Sequence, residues 1–202
     1  IVRLVGSEMC IRDRFRTAME GKRGPVHLTI PHDLQEQTVD IEVFQRYEKS
    51  VIDDMNNWLT CPNLNQIEKS LDMLSNAKKP VIIAGLGAGA TVSSKDLDIF
   101  LKNTKIPFFG VDSGRALVPD SHECSLGIGY LPLNKSAQRV NESDVVLLLG
   151  VKLDYQLGFG GSPPFNKDAK IICVDPDIEQ LNRSRTVSLI VNSDVGPYVE
   201  LM

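Results

Sequence analysis

The sequence lacks any C-x-x-C pair. Cys10, Cys61, Cys124 and Cys173 stand far apart, which speaks against a zinc site or a disulfide framework and fits free thiols in a reducing compartment. It also lacks a long apolar run: the longest, at residues 145–151, falls far short of the ~20 residues a bilayer-spanning helix needs. Positive charge is not in excess. With a net charge of -4 and a pI near 5.4, there is no electrostatic footprint for nucleic acid, and the densest basic pairs, Lys22-Arg23 and Lys78-Lys79, read as solvated turns. No secretory signal pattern is evident, so a cytoplasmic protein without membrane or nucleic-acid partners is the expectation. Histidine is scarce: His27, His32 and His122 are far apart, and no serine sits in a nucleophile elbow, so no catalytic constellation is visible. His32 beside Asp33 reads as a surface feature. What is present, 42% hydrophobic and 24% charged residues, is the make-up of an ordinary globular domain rather than of a disordered or collagenous chain. A length of 202 residues allows one such domain and a remnant.

Organisation changes along the chain. The run Ser7-Glu8-Met9-Cys10-Ile11-Arg12-Asp13-Arg14 resembles a translated sequencing adapter, and residues 1–14 are set aside as non-native, with a native helix as the alternative. Residues 15–20 look like the end of a helix stopped by Gly21. Val26-His27-Leu28-Thr29-Ile30 alternates as a half-buried strand closed by Pro31; with residues 15–34 it reads as a remnant of a preceding domain, and residues 35–62 as a linker. From Asn63 the pattern is regular. Asn63 is placed to cap a helix with an apolar face of Leu64, Ile67, Leu71 and Leu74. Strands are expected at residues 80–84, 108–111, 144–150, 169–175 and 188–191. Between them lie a helix over 94–102 with Leu97, Phe100 and Leu101 inward, a loop through Pro132, and a short helix carrying Ala137 and Val140. This alternation predicts an α/β fold with a doubly wound parallel sheet over residues 63–202. A chain beginning at Asn63 is expected to behave better in solution than the whole.

Two kinds of residue stand where such sheets bind ligands. The turn Gly85-Leu86-Gly87-Ala88-Gly89-Ala90 follows a strand and opens a helix. There backbone N–H groups can seat a phosphate and glycine permits close approach; a plain tight turn is the alternative. Asp175, at a strand's carboxyl end, is placed to accept from a ribose diol, or to cap a helix with Pro176 at its first position. Lys152 reads as a phosphate contact or as a solubilising charge. Asp112 reads as the ribose acid of a dinucleotide fold or as a turn aspartate, which keeps a free-standing FAD- or NAD-binding module, such as an electron-transfer flavoprotein domain, open as the second reading.

Several stretches in order resemble the thiamine-diphosphate-dependent enzymes of the acetolactate synthase-like and 2-hydroxyacyl-CoA lyase-like type. Gly24-Pro25-Val26-His27-Leu28-Thr29-Ile30-Pro31-His32-Asp33 is similar to the strand ending their pyrimidine-binding domain. Ala77-Lys78-Lys79-Pro80-Val81-Ile82-Ile83-Ala84-Gly85 is similar to the opening of their central domain. Asp144-Val145-Val146-Leu147-Leu148-Leu149-Gly150, Lys152-Leu153-Asp154 and residues 172–178 resemble its later segments. The resemblance implies a six-stranded Rossmann-like central domain that holds FAD, ADP or coenzyme A in some members. By position it implies a nucleotide contacting Gly85, Gly87, Ala88, Lys152, Leu153, Asp175, Pro176, Asp194 and Val195. Leu86 stands where oxalyl-CoA-type members carry lysine, which counts against ADP. Lys152-Leu153-Asp154-Tyr155 stands where acetolactate synthases carry Arg-Phe-Asp-Asp, which counts against FAD. It further implies a carboligase or decarboxylase of 2-oxo acids, homodimeric or homotetrameric, using thiamine diphosphate and Mg2+. Their holding motifs would lie upstream of residue 15 and downstream of residue 202, so this piece alone is expected to be inactive. The hard chemistry of such an enzyme belongs to the cofactor.

Overall fold

Strands that are apolar on both faces are stable only inside a sheet covered on both sides. The computed structural model describes residues 7–38, 40–45, 58–130, 132–177, 179, 181 and 187–202, and the chain divides into two units, Ile1–Leu59 and Thr60–Met202. The sheet belongs to the second. Its strands are β1 (Pro80–Ala84), β2 (Phe108–Gly110), β3 (Ser125–Ile128), β4 (Val145–Leu149), β5 (Lys170–Asp175) and β6 (Leu189–Asn192). Their order is β3-β2-β1-β4-β5-β6, and every pairing is parallel. The chain builds outward from β1 to β3, then returns past β1 to lay down β4, β5 and β6. That is the doubly wound α/β arrangement, with its reversal between β1 and β4.

Alternation along each strand sends side chains to two cores. Ile82, Leu147, Ile172 and Val191 face one layer, made by α3 (Leu64–Ser75), α5 (Ser94–Thr104) and α7 (Val195–Leu201). Val81, Ile83, Val146, Leu148, Ile171 and Cys173 face the other, covered by Val140 of α6 (Gln138–Glu142) and by Leu157, Phe165 and Leu181. Inside α5, Leu97, Phe100 and Leu101 are buried as their spacing predicts.

Two expectations are corrected here. Asn63 does cap α3, in a capping box: its Oδ1 accepts from Asn65 N at 2.9 Å while its own N–H donates to Gln66 Oε1 at 3.1 Å. The buried face, however, is Ile67 and Ser70, with Met73 and Leu74 partly covered, whereas Leu64 and Leu71 are exposed. Ser70 takes an inward position because its hydroxyl is satisfied by the Gln66 carbonyl at 2.9 Å, so burying it leaves no lost hydrogen bond. The second correction is the sixth strand. β3 lies within the stretch expected to be loop; it is an edge strand, half-buried throughout, with Gly127 at φ +80°, and its pairing with β2 shifts register.

The first unit contains α1 (Ser7–Met19) and α2 (His32–Gln35). Gly21, at φ +57°, follows the end of α1, where a left-handed residue is favoured. Residues 26–30 are neither helix nor strand, and Val26 and Ile30 are exposed. The alternating pattern is present, but a strand forms only against a neighbour that takes its N–H and C=O groups. Residues 39 and 46–57 of the expected linker lie outside the described residues, but residues 41–45 within it are helical. Of the expected short helix after Asp175, residues 179 and 181 are described and helical, whereas residues 178, 180 and 182–186 lie outside the described residues.

Candidate functional site

Because all six strands run the same way, every β-to-α turn emerges on one rim. That rim carries Gly85 after β1, Asp112 after β2, Gly150 and Lys152 after β4, Asp175 at the end of β5 with Pro176 beyond it, and Asp194 and Val195 after β6. With strands about 4.8 Å apart, the β1 turn and Asp175 are two spacings, roughly 10 Å, from one another across β4. The reversal point between β1 and β4 is where open sheets of this kind take ligands.

The glycine turn does a structural job that its sequence did not announce. After β1 the chain enters α4 (Leu86–Thr91), and Gly87 N donates to Gly150 O at 3.0 Å. A Cβ on Gly87 would stand 2.8 Å from Gly150 Cα, and one on Gly85 2.9 Å from Gly150 O. Gly150 itself is left-handed (φ +58°), and a Cβ there would meet Ala88 N at 2.4 Å. These glycines weld the β1 turn to the end of β4 by backbone contact. Gly85, Ala88 and Gly89 also spend their N–H groups on protein carbonyls, and Ala88 is buried. Of the amides at residues 85–89, that of Leu86 has no acceptor among the described residues, and the Leu86 side chain is exposed beside it. Among the described residues, the phosphate cradle expected from the glycines is therefore reduced to the N–H of Leu86.

Beyond the weld the rim is more open. Lys152 is exposed and Leu153 half-buried. The following 3-10 turn, Tyr155–Gly160, holds Tyr155 and Phe159 out in solvent. Asp112 is left-handed at φ +48°, and Gln156 Nε2 donates to its Oδ1 at 3.4 Å, so the loops after β2 and β4 meet across the mouth of β1. Asp175 is 8% exposed, and its Oδ1 accepts from Asp177 N at 2.9 Å. The helix cap is not Asp175 but Asp177, which accepts from Glu179 N through its side chain at 3.1 Å and from Leu181 N through its carbonyl at 3.1 Å. Asn192, which belongs to no recognisable motif, holds this turn by donating to Pro176 O at 3.0 Å. Burial, with the nearby Asp175 charge adding to it, pushes the Cys173 thiol up to about 12, so it stays protonated and inert.

Asp194 and Val195 sit differently. Val195 is a core residue, 1% exposed. Asp194 is buried, and its Oδ2 accepts from Thr60 N at 2.7 Å, while Thr60 O accepts from Asp194 N at 2.9 Å and from Ser193 Oγ at 3.0 Å. This carboxylate clamps the start of the second unit to the end of β6. Thr60 carries no motif, so only the fold reveals the clamp. Among the described residues no three His, Cys, Asp or Glu side chains come together as a metal-ligand set.

Residues 67–202 match the family model for the central domain of thiamine pyrophosphate enzymes. The chain is 30% identical over 184 residues to 2-hydroxyacyl-CoA lyase 1 of Dictyostelium discoideum, covering 89% of this chain and 30% of that protein. It is 28% identical over 186 residues to chloroplastic acetolactate synthase 1 of Nicotiana tabacum (92% and 27%), and 24% identical over 191 residues to oxalyl-CoA decarboxylase of Escherichia coli (93% and 32%). The chain thus spans about a third of the length of the curated relatives it matches. An X-ray structure assigned to a thiamin diphosphate-dependent enzyme of Mycobacterium smegmatis shares the fold, with TM-score 0.67 at 15% identity over 95% of this chain and 36% of that one.

Proposed function

We propose, from the premise that this chain belongs to the thiamine pyrophosphate enzyme family through its central domain, that its carboxyl rim holds the ADP moiety of a nucleotide cofactor. ADP and FAD contain that moiety with a free ribose diol, and coenzyme A contains it with a phosphate on the ribose 3′-oxygen. The reading rests on one observation above the others: Lys152 and Asp175 leave adjacent strands at the carboxyl rim, beside the reversal point of a doubly wound sheet. The lysine suits a diphosphate and the carboxylate a ribose diol. The exposed rings of Tyr155 and Phe159 offer flat surfaces on which a base can stack. Asp194 and Val195 contribute structure to this rim rather than ligand contacts.

The whole enzyme, on this reading, is a carboligase or decarboxylase of 2-oxo acids in the cytoplasm, a homodimer or homotetramer. Thiamine diphosphate and Mg2+ would be held by segments other than residues 15–202, which contain neither the activating glutamate nor the Gly-Asp-Gly motif. Calorimetric titration of the chain with ADP, FAD and coenzyme A tests the nucleotide site. Saturable binding is expected, weakened roughly tenfold by Asp175→Asn or Lys152→Ala, the worth of one charge-assisted contact. No binding of any of the three at millimolar concentration would overturn it and leave the domain a scaffold alone.

A further inference from the structure

The opposite rim of the sheet carries a second feature. Between the amino ends of β1 and β2, the end of α5 and the start of α6 lies an open basin of about 740 Å³, within the range of small-ligand sites. Its walls bring together Lys78, Lys79, Lys105, Lys135 and Arg139, against the single acid Glu142. The chain as a whole is acidic, so this basin reverses the prevailing sign.

Neighbouring acids neutralise part of that charge. Lys79 Nζ lies 3.7 Å from Glu142 and Lys105 pairs with Glu123, while Lys102, next along α5, is taken by Asp98 at 2.8 Å. Asp144 spends its carboxylate on the Lys78 and Lys79 amides, at 2.7 and 2.9 Å. Among the described residues, Lys78, Lys135 and Arg139 have no acidic partner within 4 Å; Lys135 and Arg139 lie four residues apart on the helical stretch 135–142, and Lys78 in the turn before β1. Ser136 adds a hydroxyl beside them. Like charges gathered in one concavity repel one another unless an anion joins them.

We propose that this basin is an anion site for a compact, multiply charged ligand of the phosphate or diphosphate class, separate from the nucleotide rim. Arg139 supplies a planar fork suited to two phosphate oxygens, and Lys78 and Lys135 supply point charges on either side. In the sequence Lys78-Lys79 reads only as a solvated basic pair and Lys135 carries no motif, since the fold alone carries residues from near 78, 105 and 135–142 to one place.

The test is a titration of the 202-residue chain with inorganic pyrophosphate at constant ionic strength, followed by calorimetry and by backbone amide shifts. One saturable site is expected, with shifts centred on residues 78–81 and 135–142. Lys135→Ala/Arg139→Ala should weaken it roughly tenfold or more with an unchanged melting temperature, because both side chains are exposed. Lys152→Ala and Asp175→Asn should leave pyrophosphate affinity within about twofold, the margin of a distant charge, while they weaken ADP. The proposal is overturned if binding does not saturate, if the double variant binds as well as the parent, or if affinity follows Lys152 instead.

Discussion

At the scale of single residues, the contacts of Gly150 and Gly89 give predictions of opposite sign. Alanine at Gly150 must adopt a left-handed backbone and drive its Cβ to within 2.4 Å of Ala88 N. Strain and overpacking together should cost about 2–4 kcal/mol. Gly89 lies within α4 and a Cβ there would make ordinary contact, 3.6 Å from Ser113 O; Gly89→Ala should stabilise by about 0.5–1 kcal/mol. Urea unfolding of the two variants checks both, and a Gly150→Ala protein as stable as its parent would refute the weld. The sequence pointed to these glycines for a different reason. A glycine that admits a ligand and one that admits another strand's backbone look alike in one dimension, because both need only the absence of a Cβ.

Among elements, Asp144 ties the turn before β1 to the start of β4. Partial burial works against its charged form, but N–H donors from Lys78, Lys79, its own residue and Val145 outweigh this and hold its carboxyl below the usual carboxylate range. A depressed carboxyl stabilises the fold fully above its unfolded pKa of about 3.9. That stabilisation disappears as pH falls through the lower native value. Asp144→Asn should therefore be less stable than the parent at pH 7, by about 1–2 kcal/mol for weakened bonds to a charged acceptor, and the gap should narrow progressively as pH falls below about 4. Denaturant midpoints at pH 7, 4 and 3 check this; a gap as wide at pH 3 as at pH 7 would show that packing, not charge, is responsible. Legibility also varied by element. β1, β4 and β5 were readable because burial on both faces demands unbroken apolar runs. β3 was not: an edge strand half-exposed and interrupted by left-handed Gly127 has no such run. The phase of α3 was misread because Ser70 satisfies itself and passes inward, while Leu64 and Leu71 remain outside.

For the whole molecule, the Thr60 clamp sets where the sheet unit begins. A chain of residues 59–202 keeps all three bonds to Thr60 and should melt within about 2 °C of the full chain, a shift worth under ~1 kcal/mol at this size. Starting at Asn63 instead removes the N–H that Asp194 Oδ2 accepts in a buried setting. That should cost about 1–3 kcal/mol, or several degrees, and scanning calorimetry of the two truncated chains decides between them. The layered α/β plan was visible in the alternation of strand and helix signals, and the placement of Lys152 and Asp175 on one rim followed from parallel strands. The clamp and the basic basin were not visible, since each joins residues remote along the chain that carry no pattern of their own. The weld between Gly87 and Gly150 has a historical corollary. Two backbones in van der Waals contact cannot change independently, so substitution at one position would have to be answered at the other, or by a re-spacing of β1 and β4. Natural variation should therefore replace the two glycines together or neither.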